Sequence, residues 1–345
     1  MLFRSDSLGR DVIAIAHNRV PSQAPGLANT ALPDRPWLDE RYLTFTKLDA
    51  ESKPLWICDA RGNLVMQYIT PPKSNHTPLY DQPNPDWRPA YDMLSNAVPC
   101  YDIAGNLLFQ HSMDAGDRWM LMDAAGKPML AWDVNETPQG TATTRESRFY
   151  STDYDKLHRP TAQWLKINNG PRVMVERYEY QDAVTSDVNN LNGQLVRHYD
   201  PSGRIETKRR DFKGNVQEIH RTFTRDATVS RVNWDVADDT ALNGLLEQET
   251  YVLLTEHDAL NRMTRLYNWH RPAQNRLAIY LPRYNERGVL VSEDLVMRAT
   301  GYAPNTGTRT TAIQEIRYDA KDQKRICSSG MGLSHVMSMT SRPSG

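Results

Sequence analysis

The chain has 345 residues, enough for one large or two ordinary domains with a buried core. Its 41 lysines and arginines nearly balance 42 aspartates and glutamates, and the formal net charge of −1 argues against a nucleic-acid partner held by bulk charge. Three scattered cysteines are too few for a disulfide framework or a zinc site, and no apolar run approaches the ~20 residues of a membrane-spanning helix.

A five-residue phrase that begins with aspartate recurs along the chain. In chain order its copies begin at Asp6, Asp59, Asp102, Asp123, Asp155, Asp200, Asp211 and Asp258, and weaker relatives begin at Asp49, Asn285 and Asp319. The fourth position most often holds glycine or asparagine, as in Gly9, Gly62, Gly105, Gly126, Gly203, Gly214 and Asn261. Several copies begin about ten residues apart, and a tyrosine often precedes the aspartate.

The chemistry of this phrase predicts a hairpin turn. Aspartate accepts hydrogen bonds from the backbone N–H groups that follow it, and glycine or asparagine reaches positive φ at low cost. The flanking segments alternate in side-chain character, which is typical of half-buried strands. We therefore predict an all-β protein of antiparallel hairpins, in which a type I turn is followed by a left-handed residue.

Two chemical alternatives explain the recurring aspartates less well. The phrases lack the ligand spacing of an EF-hand and the paired glycines of calcium-binding β-helix repeats. No pair of carboxylates stands out as a general acid and base, and no nucleophile-elbow, zinc-protease, Walker or Rossmann motif occurs. We expect no metal, no cofactor and no enzymatic activity, so the aspartates are interpreted as structural.

Three other segments break the pattern. Residues 69–99 are rich in proline, asparagine and aspartate, which predicts an inserted loop or cap pinned by Trp87 and Tyr91. A shorter break spans Gln181 to Asn192, and the leucines and glutamates near residues 242–250 predict a short helix.

Histidines and tryptophans are the remaining candidate functional residues. We interpret His111, His198, His220 and His257 as strand-face residues rather than catalytic bases. Trp119, Trp132, Trp164, Trp234 and Trp269 lie outside any single stripe, so packing in a sheet explains them better than a carbohydrate platform.

The segments "CYDIAGNLLFQHSMDAGDRWMLMDAAGKPMLAWD" and "LNGQLVRHYDPSGRIETKRRDFKGNV" resemble the YD repeats of the Rhs family. The resemblance runs from about Phe3 to Arg325 and is specific for the branch that contains the B and C components of insecticidal Tc toxins. It implies a spiral β shell that encloses a toxic C-terminal polypeptide, which a pore-forming A component translocates. The partners expected for residues 1–325 are thus the remainder of the shell, the enclosed toxin and the A component.

The end of the chain departs from the family pattern. Residues 326–345, "ICSSGMGLSHVMSMTSRPSG", do not continue the expected strands, and a one-base shift of the reading frame after Arg325 would restore them. We therefore expect the last strand to end near Arg325 and residues 326–345 to form a disordered tail. On this interpretation the chain is a truncated shell segment without toxin or autoprotease, and no catalytic residue of the family can be assigned to it.

The sequence thus predicts a structural segment of a secreted Rhs-type toxin shell. The first residues show no Sec-type signal, so secretion is expected to use another route or a partner. The alternative is a cell-surface YD-repeat protein that binds carbohydrate or another cell.

Overall fold

The computed structural model describes residues 2–21, 36–70, 98–139, 142–229, 231–272, 276–330 and 334–336. Most of these residues lie in antiparallel β-strands, which confirms the predicted fold class. They divide into two compact units. The first unit comprises residues 1–152 and 165–172, and the second comprises residues 153–164 and 173–345.

In the first unit, successive strands pair in an antiparallel sheet. The strands are β1 (Leu2–Ser5), β2 (Asp11–Pro21), β3 (Trp37–Leu48), β4 (Pro54–Cys58), β5 (Leu64–Gln67), β6 (Ile69–Thr70), β7 (Val98–Pro99), β8 (Phe109–Ser112), β9 (Gly116–Met122), β10 (Pro128–Gln139) and β11 (Ala142–Tyr154). Each strand from β1 to β5 pairs with the next, β5 then pairs with β8, and the order continues through β9 and β10 to β11. Strands β6 and β7 form a separate ribbon.

In the second unit, the same up-and-down order continues without interruption from β13 to β23. Its strands are β12 (Pro160–Ile167), β13 (Arg172–Tyr180), β14 (Leu195–Asp200), β15 (Gly203–Arg210), β16 (Val216–Thr224), β17 (Leu246–His257), β18 (Met263–His270), β19 (Leu277–Tyr284), β20 (Leu290–Ala299), β21 (Thr308–Tyr318), β22 (Lys324–Ser329) and β23 (Ser334–Val336). Among the described residues of this unit, one α-helix, α1 (Asp239–Gly244), and one 3-10 turn (Pro304–Thr306) interrupt the strands.

The buried side chains gather in small clusters rather than in one large core. In the second unit, Tyr199 packs with Trp234 and Leu242, which a connection between β16 and β17 carries onto the sheet. A second cluster joins Ile279 of β19 to Val296 of β20, because alternate residues of paired strands face the same side. Each cluster is thus formed by apolar side chains that lie on the same face of neighbouring strands.

The breaks in the hairpin pattern lie largely where the sequence places them. The ends of the proline-rich segment pair with each other as β6 and β7, whereas residues 71–97, with Trp87 and Tyr91, lie outside the described residues. The segment between β13 and β14 is irregular, and Gln181 and Asn192 close it through an isolated bridge.

The predicted position of the helix is wrong. Helix α1 begins at Asp239, three residues before the predicted start, because the side chain of Asp238 caps it by accepting the backbone N–H of Ala241. The helix ends at Gly244, and strand β17 begins at Leu246 and pairs with β16. The ladder with β16 therefore overrides the helical preference of the leucines and glutamates in residues 246–250.

The predicted strand end near Arg325 is also wrong. Strand β22 continues to Ser329, with Ile326 opposite Arg317 and Cys327 opposite Ile316 on β21. The backbone groups of these residues complete a ladder with β21, and this pairing does not depend on which side chains follow Arg325. Residues 331–333 and 337–345 lie outside the described residues, and a shifted reading frame stays a prediction.

Within the described residues, no helix combines the length and the apolar character needed to cross a membrane.

Gly203 differs from the other glycines of the repeated phrase. It is the first residue of β15 rather than the fourth residue of a five-residue turn, since β14 and β15 pair up to Asp200 and Gly203 and leave only two residues in the turn. Its φ is 139°, and a Cβ built on it would lie 2.1 Å from the carbonyl oxygen of Thr222. The missing side chain lets β15 pair with β16 from its first residue.

Substituting two glycines with alanine should therefore have different effects on stability. We expect Gly203→Ala to cost about 3 kcal/mol or more, because the clash is with backbone atoms. We expect Gly214→Ala to cost about 1 kcal/mol, because its φ is 88° but no atom lies within 4 Å of an added Cβ. Urea unfolding followed by circular dichroism measures both values, and equal losses would contradict the assignment.

Candidate functional site: the tyrosine–aspartate turns

Ten turns among the described residues share one backbone geometry. They begin at Asp6, Asp49, Asp59, Asp102, Asp123, Asp155, Asp211, Asp258, Asn285 and Asp319. In each turn the N–H of the first residue donates to the carbonyl of the fifth, and the N–H of the fourth donates to the carbonyl of the first. The fourth residue has φ between 57° and 88°. This is a type I turn followed by a left-handed residue.

The aspartate side chain holds the turn together from inside. In the turn at Asp211, one carboxylate oxygen accepts the backbone N–H groups of Lys213 and Asn215, both at 2.9 Å. The turn at Asp155 has the same two bonds from Leu157 and Arg159, at 2.9 and 2.8 Å. A carboxylate is therefore used at the first position because it satisfies N–H groups that the turn leaves without a backbone partner.

The fifth residue has a role that the sequence interpretation missed. Its side chain returns to the second oxygen of the same carboxylate, from Arg10 at 2.6 Å and from Arg159 and Arg262 at 2.7 Å. Asparagine makes the same bond at Asn106 and Asn215, each at 2.8 Å. The preference for arginine or asparagine at the fifth position was the available signal, since both carry an N–H donor of suitable reach.

The fifth residue also reaches the next turn on the same edge of the sheet. The guanidinium of Arg10 donates to the carbonyl of Asp49 at 2.7 Å, and that of Arg262 donates to the carbonyl of Asn285 at 3.3 Å. The side chain of Asn215 donates to that of Asn261 at 3.0 Å. Neighbouring turns on one edge are thus linked by side chains as well as through the strands between them.

The tyrosine before an aspartate completes this link. Tyr101 donates its hydroxyl to the carbonyl of Pro54 at 2.6 Å, and Tyr318 donates to the carbonyl of Leu290 at 2.7 Å. In both cases the acceptor lies just after the preceding turn on that edge.

A cation from the preceding turn also covers the aromatic ring. Lys53 lies 5.5 Å from the ring centre of Tyr101, and Arg262 lies 5.2 Å from that of Tyr284, which precedes the turn at Asn285. These distances allow cation–π attraction. The tyrosine and the aspartate therefore recur together because the tyrosine binds one turn while the aspartate builds the next.

The structure brings most of the predicted turn residues into two runs. In the first unit, the first run comprises the turns at Asp6, Asp49 and Asp102, and in the second unit the second run comprises those at Asp211, Asp258, Asn285 and Asp319. The turn at Asp59, with Gly62, has the same geometry but joins β4 and β5 at the opposite edge. Gly9, Gly105, Gly126 and Gly214 all occupy the left-handed fourth position.

Asp200 is an exception to the expected pattern. Its carboxylate accepts two hydrogen bonds from Arg221 on β16, at 2.7 and 2.8 Å, and one from the N–H of Ser202 at 2.7 Å. Its partner therefore comes from a strand two positions along the sheet rather than from the fifth residue. The fifth residue, Arg204, lies opposite Tyr199 and cannot reach back to Asp200 in this register.

Hydrogen bonding keeps the turn carboxylates ionised. The side chains of Arg10, Asn106 and Asn215 hold the pKa of Asp6, Asp102 and Asp211, respectively, below the ordinary value of 3.8. Backbone N–H groups are the main cause of the lowered pKa of Asp155 and Asp319. These turns are therefore fully formed at neutral pH and are weakened by strong acid.

Three of the candidate histidines lie against carboxylates, and two of the candidate tryptophans pack within the protein. The imidazoles of His111, His198 and His220 lie 2.7, 3.3 and 2.8 Å from carboxylate oxygens of Asp117, Glu176 and Glu218. Trp234 is fully buried, whereas Trp119 contacts Phe109 with 4.4 Å between ring centres. Across the described residues, no group of three or more histidine, cysteine, aspartate or glutamate side chains has an arrangement that suits a metal ion.

Comparison with known proteins gives one relative in sequence and several in fold. The chain is 28% identical over 167 residues to "Toxin subunit YenC2" of Yersinia entomophaga, a match that covers 46% of this chain and 17% of that protein. The chain therefore spans about a sixth of the length of that relative. No family model matches.

Solved structures with the same fold include parts of Tc toxin assemblies. The chain superposes on a crystal structure of TcdB2-TccC3 with a TM-score of 0.59 at 20% identity, covering 95% of this chain and 13% of that one. It superposes on the Photorhabdus luminescens Tc holotoxin pore with the same TM-score and identity, covering 94% of this chain and 12% of that one. The hairpin architecture is thus shared over nearly the full length.

The tyrosine hydroxyl should contribute measurably to stability. Tyr101→Phe removes the bond to Pro54 but keeps the ring under Lys53, so we expect a loss of about 1 kcal/mol in the free energy of unfolding. The matched control is Tyr68→Phe, because Tyr68 lies beside Tyr101 with 6.4 Å between ring centres and its hydroxyl has no protein partner among the described residues. Equal losses in the two variants would contradict the role of the hydroxyl.

The turn carboxylates should make stability fall in acid. The folded pKa values of Asp6, Asp102, Asp155, Asp211 and Asp319 lie below the unfolded value of about 3.9, so their stabilisation is present above about pH 4 and is lost as the pH falls through the folded pKa. Asp211→Asn keeps one acceptor oxygen for the backbone N–H groups, but it has no charge and places an NH2 donor where the second oxygen of Asp211 accepts the Asn215 side chain. We expect this variant to unfold at lower urea than the native chain at pH 7 and at nearly the same urea below pH 3. A difference that persists at low pH would contradict the prediction.

Proposed function

We propose that this chain, whose sequence relative and fold indicate the Rhs/YD-repeat shell family of Tc toxins, forms part of the wall of a toxin-enclosing shell. The observation that carries this proposal is the pair of turn runs, in which side chains link neighbouring turns. Neighbouring turns of each run are linked by side-chain hydrogen bonds, by a tyrosine hydroxyl or by a cation over a tyrosine ring, so the position of each hairpin relative to the next is defined. Such a wall needs repeated hairpins held in register, and it needs no catalytic group.

The role proposed for the chain is structural. A shell of this kind encloses a polypeptide, and the partners we propose are the other parts of that shell, the enclosed toxin and a pore-forming component of the toxin complex. We also propose that the protein acts outside the producing cell and that the chain has no enzymatic activity. Most side chains of the turn runs are already bonded to each other, which fits a supporting role.

The alternative of a carbohydrate-binding surface protein has less support. A sugar platform needs aromatic rings that lie open on one face. Trp234 is buried, Trp119 packs on Phe109, and Trp132 packs on Phe149 with 5.2 Å between ring centres. Binding on a glycan array would favour this alternative over the shell.

Protease protection tests the proposal directly. The protein is purified from its producing cells through an antibody against this chain, and the particles are digested before and after mild denaturation. We expect electron microscopy to show a hollow particle, with a co-purifying polypeptide that resists protease until the particle is opened. A co-purifying polypeptide that is cleaved at once, or a solid particle, would contradict the shell.

A matched pair of variants links the result to the wall. Gly203→Val should open the particle and expose the polypeptide, because the β15–β16 pairing cannot accommodate a side chain there. Gly244→Ala should leave protection unchanged, because no atom lies within 4 Å of an added Cβ. If Gly203→Val particles protect the polypeptide fully, this part of the chain does not form the wall.

A further inference from the structure

A polar groove lies on the face of the second unit that carries α1. Its volume is about 420 Å³, and its lining includes Arg204, Thr222, Arg225 and Thr250. Arg204, Thr222 and Thr250 stand opposite one another on β15, β16 and β17, so they form a row across the three strands. The strand register alone thus places a guanidinium beside two hydroxyls.

The positive charge in this groove is only partly matched by carboxylates of the described residues. The side chain of Arg204 is 17% exposed and donates to the neutral side chain of Asn243 at 3.0 Å. Its nearest carboxylate, Glu206, lies 3.9 Å away and is already bound by Lys208 at 2.8 Å. Arg225 is exposed, and its guanidinium has no ion pair or hydrogen bond within the described part of the chain.

The threonine pair adds a hydrogen-bond donor at the same place. The two hydroxyl oxygens lie 3.2 Å apart, so one hydroxyl donates to the other and the second keeps its hydrogen. Neither hydroxyl has another partner among the residues that the structure describes. The free hydrogen belongs to whichever threonine accepts, and since Thr222 is 4% exposed and Thr250 is half-buried, it is shielded from solvent at least in part.

A second groove in the same unit has charged lining residues that form ion pairs with one another. It has a volume of about 360 Å³ and contains Arg197, Lys208, Glu179 and Glu206. Arg197 lies 3.3 Å from Glu179 and 3.2 Å from Glu206, and Lys208 lies 2.8 Å from Glu206. Its charges pair with one another and leave nothing for a ligand, in contrast to the groove at Arg204.

We propose that the groove at Arg204 and Arg225 binds a single carboxylate, presented by an aspartate or glutamate side chain of an extended polypeptide. Its charged lining residues are Arg204, Arg225 and Glu247, so two positive charges and one negative charge leave a charge of +1. A monoanion neutralises this charge, whereas a phosphate dianion would overshoot it beside Glu247. Guanidinium groups bind carboxylates through paired N–H donors, and the free threonine hydrogen supplies a further bond.

Binding at this groove does not depend on whether the chain forms part of a shell. It is measured with the full chain, labelled with ¹⁵N, through the side-chain Nε–Hε signals of its arginines. The probe is a hexapeptide of glycine and serine with one central glutamate, and the control peptide has glutamine in its place. Inorganic phosphate alone is titrated as a third arm to separate a phosphate site from a carboxylate site.

We expect the glutamate peptide to shift the signals of Arg204 and Arg225 in a saturable manner, at least tenfold more tightly than the glutamine peptide. Arg225→Ala should weaken binding about tenfold, since a charge-assisted bond is lost, and Arg225→Lys should restore part of it. Gly244→Phe should block the groove without altering any charge, because Gly244 lines it and no atom lies within 4 Å of an added Cβ. Arg209→Ala, at an exposed position of β15 outside the groove, should change nothing.

Three results would overturn the proposal. Equal binding of the two peptides would show that the carboxylate is not recognised, and phosphate binding at least as tight as the glutamate peptide would assign a different anion. Unchanged affinity in both Arg225→Ala and Gly244→Phe would place binding elsewhere. Thermal unfolding of each variant confirms that it is folded, and the exposed positions of Arg225 and Gly244 favour this.

Discussion

The second unit and the first unit both depend on one local interaction, the aspartate carboxylate that accepts the N–H groups of its own turn. A sharp corner leaves backbone donors without partners, and a buried or half-buried donor without a partner is costly. In the turn at Asp211 one carboxylate oxygen satisfies two such donors and the other receives Asn215. Because this correction is local, the same five residues can be used at every corner regardless of the strands that they join.

In the second unit, the two edges of the sheet at which the strands end have different roles. On the edge with the turn run of the second unit, the fifth residue and the tyrosine bind neighbouring turns. On the opposite edge of that unit, the connection between β16 and β17 carries Trp234 and Leu242 back onto the sheet. The edge with the turn run therefore provides register, and the opposite edge provides the cluster around Trp234 and the groove at Arg204.

This division explains why supporting and binding roles are found in separate places. Groups in the turn runs are bonded to each other and have little capacity for a ligand. The groove at Arg204 lies beside α1, where a guanidinium faces a neutral amide and two hydroxyls share one hydrogen bond.

The sequence by itself determined the hairpins, because each turn is made by five consecutive residues. Asp102 and Gly105, or Asp258 and Asn261, specify their corner whatever lies beyond it, and the alternating flanks then specify strands. The sequence also contained the preference for arginine or asparagine at the fifth position of the turn. The role of that residue became clear only from its hydrogen-bond distances to the carboxylate. The tertiary structure alone decided that Asp200 pairs with Arg221, that β17 replaces the predicted helix, and that Arg204 meets Thr222 and Thr250. These features depend on which residues stand opposite one another across strands, and that register is set by the whole sheet rather than by neighbours in the chain.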